Sequence, residues 1–393
     1  MGRAVHVSPE ASTEPGDEVD LTAIVRLAGE ERSLNEEALA SGVAVLSCRT
    51  PEVGALAQLA AAAAEAQRTG AGWFSPPRER PEELPYLNGA VIGLHYRDPE
   101  KGYHRQVDEL AAAGFRHVCL LFPSFIDDVE ASQIDRSHPR CVSDARLIET
   151  IRYAKKAGMS VMLLPIVLLL ESGEGDWRGT LRPTDEPRFW LEYDRYLCHY
   201  LDIAEVAGAD IVSIGSELGS LEDRTSAWTR LIAHARGRFR GFLCYSANWD
   251  HVHVPRFYGQ LDFVGMTAYF SLTDDRDPSL EELVTRWRHI GERLARSVGM
   301  VGKPVVFTEV GYASQDGINT DPWNYLMNVD DVDLIEQARC TEAFVTVAPT
   351  MKFLRGAYLY DYFDAGGRSD PSYSPRGKPA WDQWKRWAEV EVR

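Results

Sequence analysis

With 393 residues, 45% of them hydrophobic and 26% charged, the chain has the composition of a globular protein able to bury a sizeable core, as one large domain with an appendage or as two ordinary domains. A formal net charge of −17 and a sequence pI near 5.1 argue against nucleic acid or an anionic membrane as the main partner. The six cysteines (Cys48, Cys119, Cys141, Cys198, Cys244 and Cys340) are scattered without a CxxC pair, so they offer neither a zinc site nor a compact disulfide framework, and a reducing compartment suits them.

The first 20 residues are polar, acidic and rich in Pro, Ser, Glu and Gly, and read as a flexible tail. They hold no basic segment followed by an apolar one, so no secretory signal is read and a cytoplasmic location is expected, a trimmed leader left open. The longest apolar runs, Ala60 to Ala64 and Val161 to Leu170, are too short to span a bilayer. Residues 21–69 read as helical: LTAIVRLAG, EEALASGVAVLS and an Ala-rich stretch. GWFSPPRERPEELP is a Pro-rich connector, so residues 21–86 form an N-terminal helical extension and the main domain spans 87–393.

From there a regular alternation begins. Apolar, β-branched runs occur at 90–96, 117–123, 160–169, 210–217, 241–248, 261–270, 303–312 and 353–363. Between most of them lie segments of helical period such as DARLIETIRYAKKAG and SLEELVTRWRHIGERLARSVG, several closed by glycine. Continuously apolar strands alternating with amphipathic helices predict an α/β fold with a parallel sheet. Eight strands over this length favour a closed (β/α)8 TIM barrel. The competitor is an open doubly wound sheet, but GLHYRDPEKG after the first strand lacks a GxGxxG phosphate loop.

Active sites of such barrels lie at the C-terminal ends of the strands. The fourth run ends in Ser216-Glu217 and the seventh in Thr308-Glu309. A carboxylate following five or more apolar residues is partly dehydrated, and two aimed at one mouth match the acid and the nucleophile or base of glycoside hydrolysis. Either glutamate alone reads equally well as half of an ion pair. Tyr269, at the end of the sixth run, is positioned to hydrogen-bond Glu309, though a strand-end tyrosine is commonly a packing residue. Asn248 and Trp249 close the fifth run, and Trp177 and Arg178 sit in a long loop after the third; all four are candidates to bind sugar. Asp127, Asp128, Asp361 and Asp364 complete an acidic rim, each singly readable as a solvated loop residue. His251 and His253 form an HxH pair without an evident third ligand, so no metal site is assigned.

At these residues the chain resembles glycoside hydrolase family 113, a clan A family of retaining β-mannanases. The shared segments run in order: WRG at Trp177–Gly179, IGSEL at Ile214–Leu218, SANWD at Ser246–Asp250, LDFVGMTAYF at Leu261–Phe270, GKPVVFTEVGY at Gly302–Tyr312, then Pro322-Trp323. The resemblance implies that Glu217 is the acid/base, Glu309 the nucleophile and Tyr269 its tyrosine partner. It further implies that Trp177, Arg178, Asn248 and Trp249 line the substrate cleft, with neither metal nor organic cofactor. Residues 1–85 have no counterpart. Three positions depart from the pattern: Ser216 before the acid/base, Ile166 after Pro165 where a histidine is usual, and Tyr358, Tyr360 and Tyr362 on the eighth strand in place of a tryptophan. Tyr360 is the candidate stacking residue among them.

The expected partner is therefore a β-linked oligo- or polysaccharide, which the resemblance makes mannan-like, cleaved by double displacement. Two other readings stay open at this level: a carbohydrate-binding pseudoenzyme on the same barrel, and a transglycosidase in which a sugar hydroxyl replaces water. Sugar identity, linkage, endo or exo action and oligomeric state are not legible here.

Overall fold

The computed structural model describes residues 5–9, 23–27, 40, 61–62, 64–65, 68–69, 82–94, 102–299, 301–362 and 366–390. The chain forms two compact units, Met1–Glu79 and Arg80–Arg393.

In the first unit, Val5–Pro9 pairs antiparallel with Ala23–Leu27, Val5 opposite Leu27 and Pro9 opposite Ala23. This corrects two expectations, since the first strand falls in the presumed tail and the second in the presumed helix. VHV and AIV carry β-branched residues that favour a ladder, but neither strand exists without the other, and pairing across 13 intervening residues leaves no local periodic signal. Residues 61–62, 64–65 and 68–69 of the Ala-rich stretch are helical, whereas most of the expected extension lies outside the described residues.

The second unit is the barrel. Its strands are β1 (Leu87–Gly93), β2 (His117–Ile126), β3 (Ser160–Leu169), β4 (Ile211–Ser216), β5 (Phe242–Ala247), β6 (Val264–Thr267), β7 (Val305–Val310) and β8 (Leu354–Leu359). These eight pair in parallel, with the short strand Ile134–Asp135 added antiparallel to β2, and β1 pairs with both β2 and β8, which closes the sheet and excludes the doubly wound alternative. The helices are α1 (His104–Ala112), α2 (Asp144–Lys156), α3 (Glu186–Ala207), α4 (Thr225–Arg238), α5 (Leu280–Val298), α6 (Leu334–Val347) and α7 (Ala380–Ala388). Between β5 and β6 a single turn, Tyr258–Gln260, stands in for a helix. The helix starts are written locally: Ser143 and Asp185 cap α2 and α3, and Ser279 with Glu282 forms a capping box on α5.

Each strand faces two apolar layers, which explains the unbroken apolar runs. Val91, Cys119, Leu121, Met162, Leu164, Phe242, Cys244, Val306 and Tyr358 fill the barrel. Ile92, Val118, Leu120, Val161, Leu163, Val212, Leu243, Val305 and Phe307 pack outward against the helices. The seam between β8 and β1 needs glycine: a Cβ on Gly89 would lie 2.3 Å from the Tyr358 ring, and one on Gly356, at φ +134°, 2.3 Å from the Leu87 carbonyl oxygen. The end of the Pro-rich connector belongs to this unit, for Leu84 joins the barrel interior and its carbonyl accepts from Arg355 Nε at 2.8 Å. Among the described residues no helix is long and apolar enough to cross a membrane, and Cys119, Cys141, Cys198, Cys244 and Cys340 are free thiols.

Candidate active site

Glu217 directly follows β4 with a φ of 54°, the one left-handed non-glycine residue described. That conformation costs on the order of 1–3 kcal/mol and persists only where the surroundings over-determine it. They do so here. The Glu217 amide donates to Ser246 O at 2.8 Å and the next amide, Leu218, donates to Tyr245 Oη at 2.9 Å. Behind them Gly215 is pressed against aromatic rings: a Cβ would meet Tyr193 Oη at 2.8 Å and Tyr245 Cε2 at 2.9 Å. The β4 register slips against β5 between Ser213 and Ser216, as at a bulge that re-aims a side chain.

The Glu217 carboxylate is 6% exposed. Arg178 donates to its Oε2 and forms an ion pair with it, while Thr267 Oγ1 lies 3.1 Å from Oε1. Thr267 Oγ1 is also 3.2 Å from Asn248 Oδ1 and accepts from the Trp249 amide at 3.2 Å. With a single proton, the threonine hydroxyl serves one oxygen at a time.

Glu309 lies within β7, 5% exposed, with Thr267 as its register partner on β6. The two glutamates therefore flank one threonine. Tyr269 donates to Glu309 Oε2 at 2.9 Å, and Oε1 has no hydrogen-bond partner among the described residues. Burial foremost, and then the charge of Glu217, push the Glu309 carboxyl up to about 8, with Arg178 and the Tyr269 hydroxyl pulling the other way. β7 also slips in register between Phe307 and Glu309. Phe307 faces the helices, so strict alternation would have sent Glu309 outward too; the irregularity turns it into the cleft.

The remaining sequence candidates divide. Trp177 is 39% exposed at the cleft, its indole lying so close over Gly179 that a Cβ there would fall 2.2 Å from the ring, which accounts for the glycine of WRG. Arg178 lies beside that indole, 5.7 Å from its centroid, and its charge reaches both glutamates and Tyr360. Tyr360 meets Tyr269 edge-on at 6.1 Å. The other two eighth-strand tyrosines are elsewhere: Tyr358 is barrel core, and Tyr362 packs against Trp381 of α7. Ile166 belongs to the inward layer, so the β3 wall is apolar where the family pattern has a polar group.

The expected acidic rim is corrected. Asp361 is fully buried, and burial, with the charge of Asp370, holds its carboxyl well above the usual carboxylate range. Asp128 folds its own loop by accepting from the Glu130 and Ala131 amides, and Asp127 is exposed beside it. Asp364 lies outside the described residues. His251 faces Glu222 rather than a metal-binding set. Among the described residues a trio of acids, Asp316, Asp333 and Glu336, is close enough to share an ion, but its members pair with Arg276, cap α6 and accept from Gly317 and Asn319.

Sequence reading missed three contributors. Thr267 lies between two candidate residues on β6, and its place between the glutamates follows only from closure. Trp323, 43% exposed, stacks on Trp249 with centroids 5.4 Å apart; the shared segment Pro322-Trp323 carries no role in the sequence alone. Tyr245 faces the helices and reaches Glu217 from behind.

A closed parallel barrel with two buried glutamates at the C-terminal ends of β4 and β7 defines a class, the glycosidases of clan A. The chain belongs to glycoside hydrolase family 113, whose model matches residues 95–378, and it is a glycosidase. Among solved structures, a complex of a GH113 beta-1,4-mannanase is similar at a TM-score of 0.69 and 22% identity, covering 78% of this chain and 100% of that one. The GH113 beta-mannanase AaManA from Alicyclobacillus acidocaldarius, in complex with ManMIm, is similar at 0.69 and 25% identity, covering 78% and 98%. A family 5 mannosidase from Rhizomucor miehei shares the fold at 0.50 and 12% identity, covering 78% and 92%. No curated protein matches the chain.

Proposed function

We propose that the protein is a retaining glycosidase that cleaves β-linked oligo- or polysaccharide of β-mannan type, with Glu309 as nucleophile and Glu217 as general acid/base. One observation carries the reading: two buried glutamates, each with its own hydrogen-bonding partners, meet across Thr267 at one mouth. In the first step a Glu309 oxygen bonds to the anomeric carbon as the bond to the leaving oxygen breaks, and the Glu217 proton passes to that oxygen. In the second, Glu217 takes a proton from water, whose oxygen displaces Glu309 and restores the original configuration. Tyr269 supports Glu309 once it is ionised, Trp177 and Trp249 offer indole faces to sugar rings, and Asn248, Arg178 and Tyr360 supply polar contacts. The β-mannanases similar to this chain support the sugar class. The route uses no metal or organic cofactor.

A specific observation favours the reversed assignment. In the free site the Arg178 cation sits on Glu217, while burial favours the proton on Glu309. Double displacement as proposed requires the opposite, so the bound sugar must draw Arg178 away from Glu217. Labelling with a fluorinated mannosyl fluoride followed by peptide mapping decides between them. Sugar on Glu309 supports the assignment; sugar on Glu217 inverts it.

A further inference from the structure

Glu222 closes the short turn Gly219–Leu221 and is fully buried, five residues beyond Glu217 in the connection from β4 to α4. Its Oε1 accepts from Tyr245 Oη at 2.8 Å, and the same phenol oxygen accepts from the Leu218 amide at 2.9 Å. Its Oε2 has no hydrogen-bond partner among the described residues and faces His251 Nδ1 at 3.5 Å, an imidazole about half exposed. A buried carboxylate is costly unless it does something for the fold or the chemistry around it. Here the chain of contacts ends on the amide next to the single left-handed non-glycine residue described.

We propose that Glu222 and Tyr245 are positioning residues for the acid/base: by holding the Leu218 amide they keep the Glu217 backbone left-handed and its carboxyl aimed into the cleft. A phenol has one proton, so Tyr245 can accept from Leu218 with full directionality only while a second group takes that proton. Glu222 is that group. The surrounding connection is braced so that the contact cannot drift: Trp228 Nε1 donates to Leu221 O at 2.9 Å and Ser220 Oγ to Leu181 O at 2.6 Å. The titratable groups facing Glu222 are Tyr245 of β5, His251 after β5, Tyr258 of the turn before β6, and Glu217. Burial, opposed by Tyr245 and His251, brings the Glu222 carboxyl up to about 7.

The inference rests on Glu217 being the acid/base, and leaving-group dependence separates the two claims. Wild type, Glu217→Ala, Tyr245→Phe, Glu222→Leu and Glu222→Gln would be compared on dinitrophenyl and phenyl β-mannobiosides. The first leaving group needs no protonation and the second does. If Glu217 is the acid, Glu217→Ala loses far more kcat/KM on the phenyl than on the dinitrophenyl substrate; equal losses in kcat/KM sink that assignment. If Glu222 and Tyr245 position it, Tyr245→Phe and Glu222→Leu lose about 10–100-fold in kcat/KM, which reports the first step, on the phenyl substrate alone. Glu222→Gln, which still accepts from Tyr245, recovers most of that loss and removes an ionisation near 7 from the pH profile. Equal losses in kcat/KM on both substrates, or none on either, overturn the proposal. Crystal structures of Tyr245→Phe and Glu222→Leu give a readout independent of any substrate: relaxation of residue 217 out of the left-handed region is expected, and an unchanged φ in both refutes the positioning role.

Discussion

The two strand ends that carry Glu217 and Glu309 use one residue type in opposite ways. Glu217 sits on strained backbone just past β4, braced from behind by Tyr245 and the packed rings around Gly215, and both carboxylate oxygens have partners. Glu309 lies inside β7 at a register slip, with one oxygen held by Tyr269 and the other without a partner among the described residues. The first site spends its interactions on aiming the side chain. The second leaves one oxygen exposed to chemistry in a dry setting, where an unsolvated carboxylate is a stronger nucleophile and also a more basic one. The difference shows that burial alone does not assign a role; the partner set does.

The comparison is most directly broken at Glu309. Glu309→Ala is expected to lower kcat by at least about 10⁴-fold, with azide restoring turnover as a glycosyl azide of inverted configuration. A variant that retains ordinary activity removes the nucleophile from the scheme. Glu217→Ala should cost about 10²–10⁴-fold on substrates with poor leaving groups.

Tyr269→Phe tests the single support of Glu309. Losing a hydrogen bond to a charged group is worth about 1.5–3 kcal/mol, or roughly 10–100-fold in kcat/KM near neutrality. Because the phenol lowers the Glu309 pKa, its removal moves the acidic limb of the kcat/KM profile to higher pH. A limb that stays in place or moves down contradicts the contact.

Stability gives a sharper contrast. A carboxyl raised to about 8 in the fold is protonated there while the unfolded chain ionises near 4.5, so stability is fully present below 4.5 and declines as pH rises toward 8. Glu309→Gln should therefore gain about 1–3 kcal/mol at pH 8 and little at pH 4.5 in urea unfolding. A gain independent of pH would point to packing instead. The smallest effect is expected at the tryptophan pair formed by the connections after β5 and β7. Trp323→Ala uncovers the stacked Trp249 and should raise KM about fivefold for mannan oligosaccharides, at about 1 kcal/mol, leaving aryl glycosides with a single sugar unaffected.

Much of the site was legible because strand ends are local features. TEVGY and IGSEL each place a carboxylate after an apolar run, and closure of eight such runs brings their ends to one face. Side-chain direction was another matter. Tyr358, Tyr360 and Tyr362 alternate perfectly in sequence, yet one fills the barrel, one reaches the cleft and one packs outside, because β8 ends at Leu359. Asp361 read as a rim residue and is buried, since the sequence carries no mark of what covers it.

Within the barrel the sequence by itself determined the period: which segments are its eight strands and its helices, and which glutamates end the strands. These follow from short-range propensity and from side chains that alternate along a strand or recur along a helix face. The tertiary structure alone decided what depends on distant partners. The pairing of Val5–Pro9 with Ala23–Leu27, the slips that turn Glu309 inward, and the left-handed turn that aims Glu217 all arise between segments far apart in the chain. A local pattern records the preference of a residue for a conformation, but not the neighbour whose hydrogen bond or ring makes an unfavoured one the lowest in free energy.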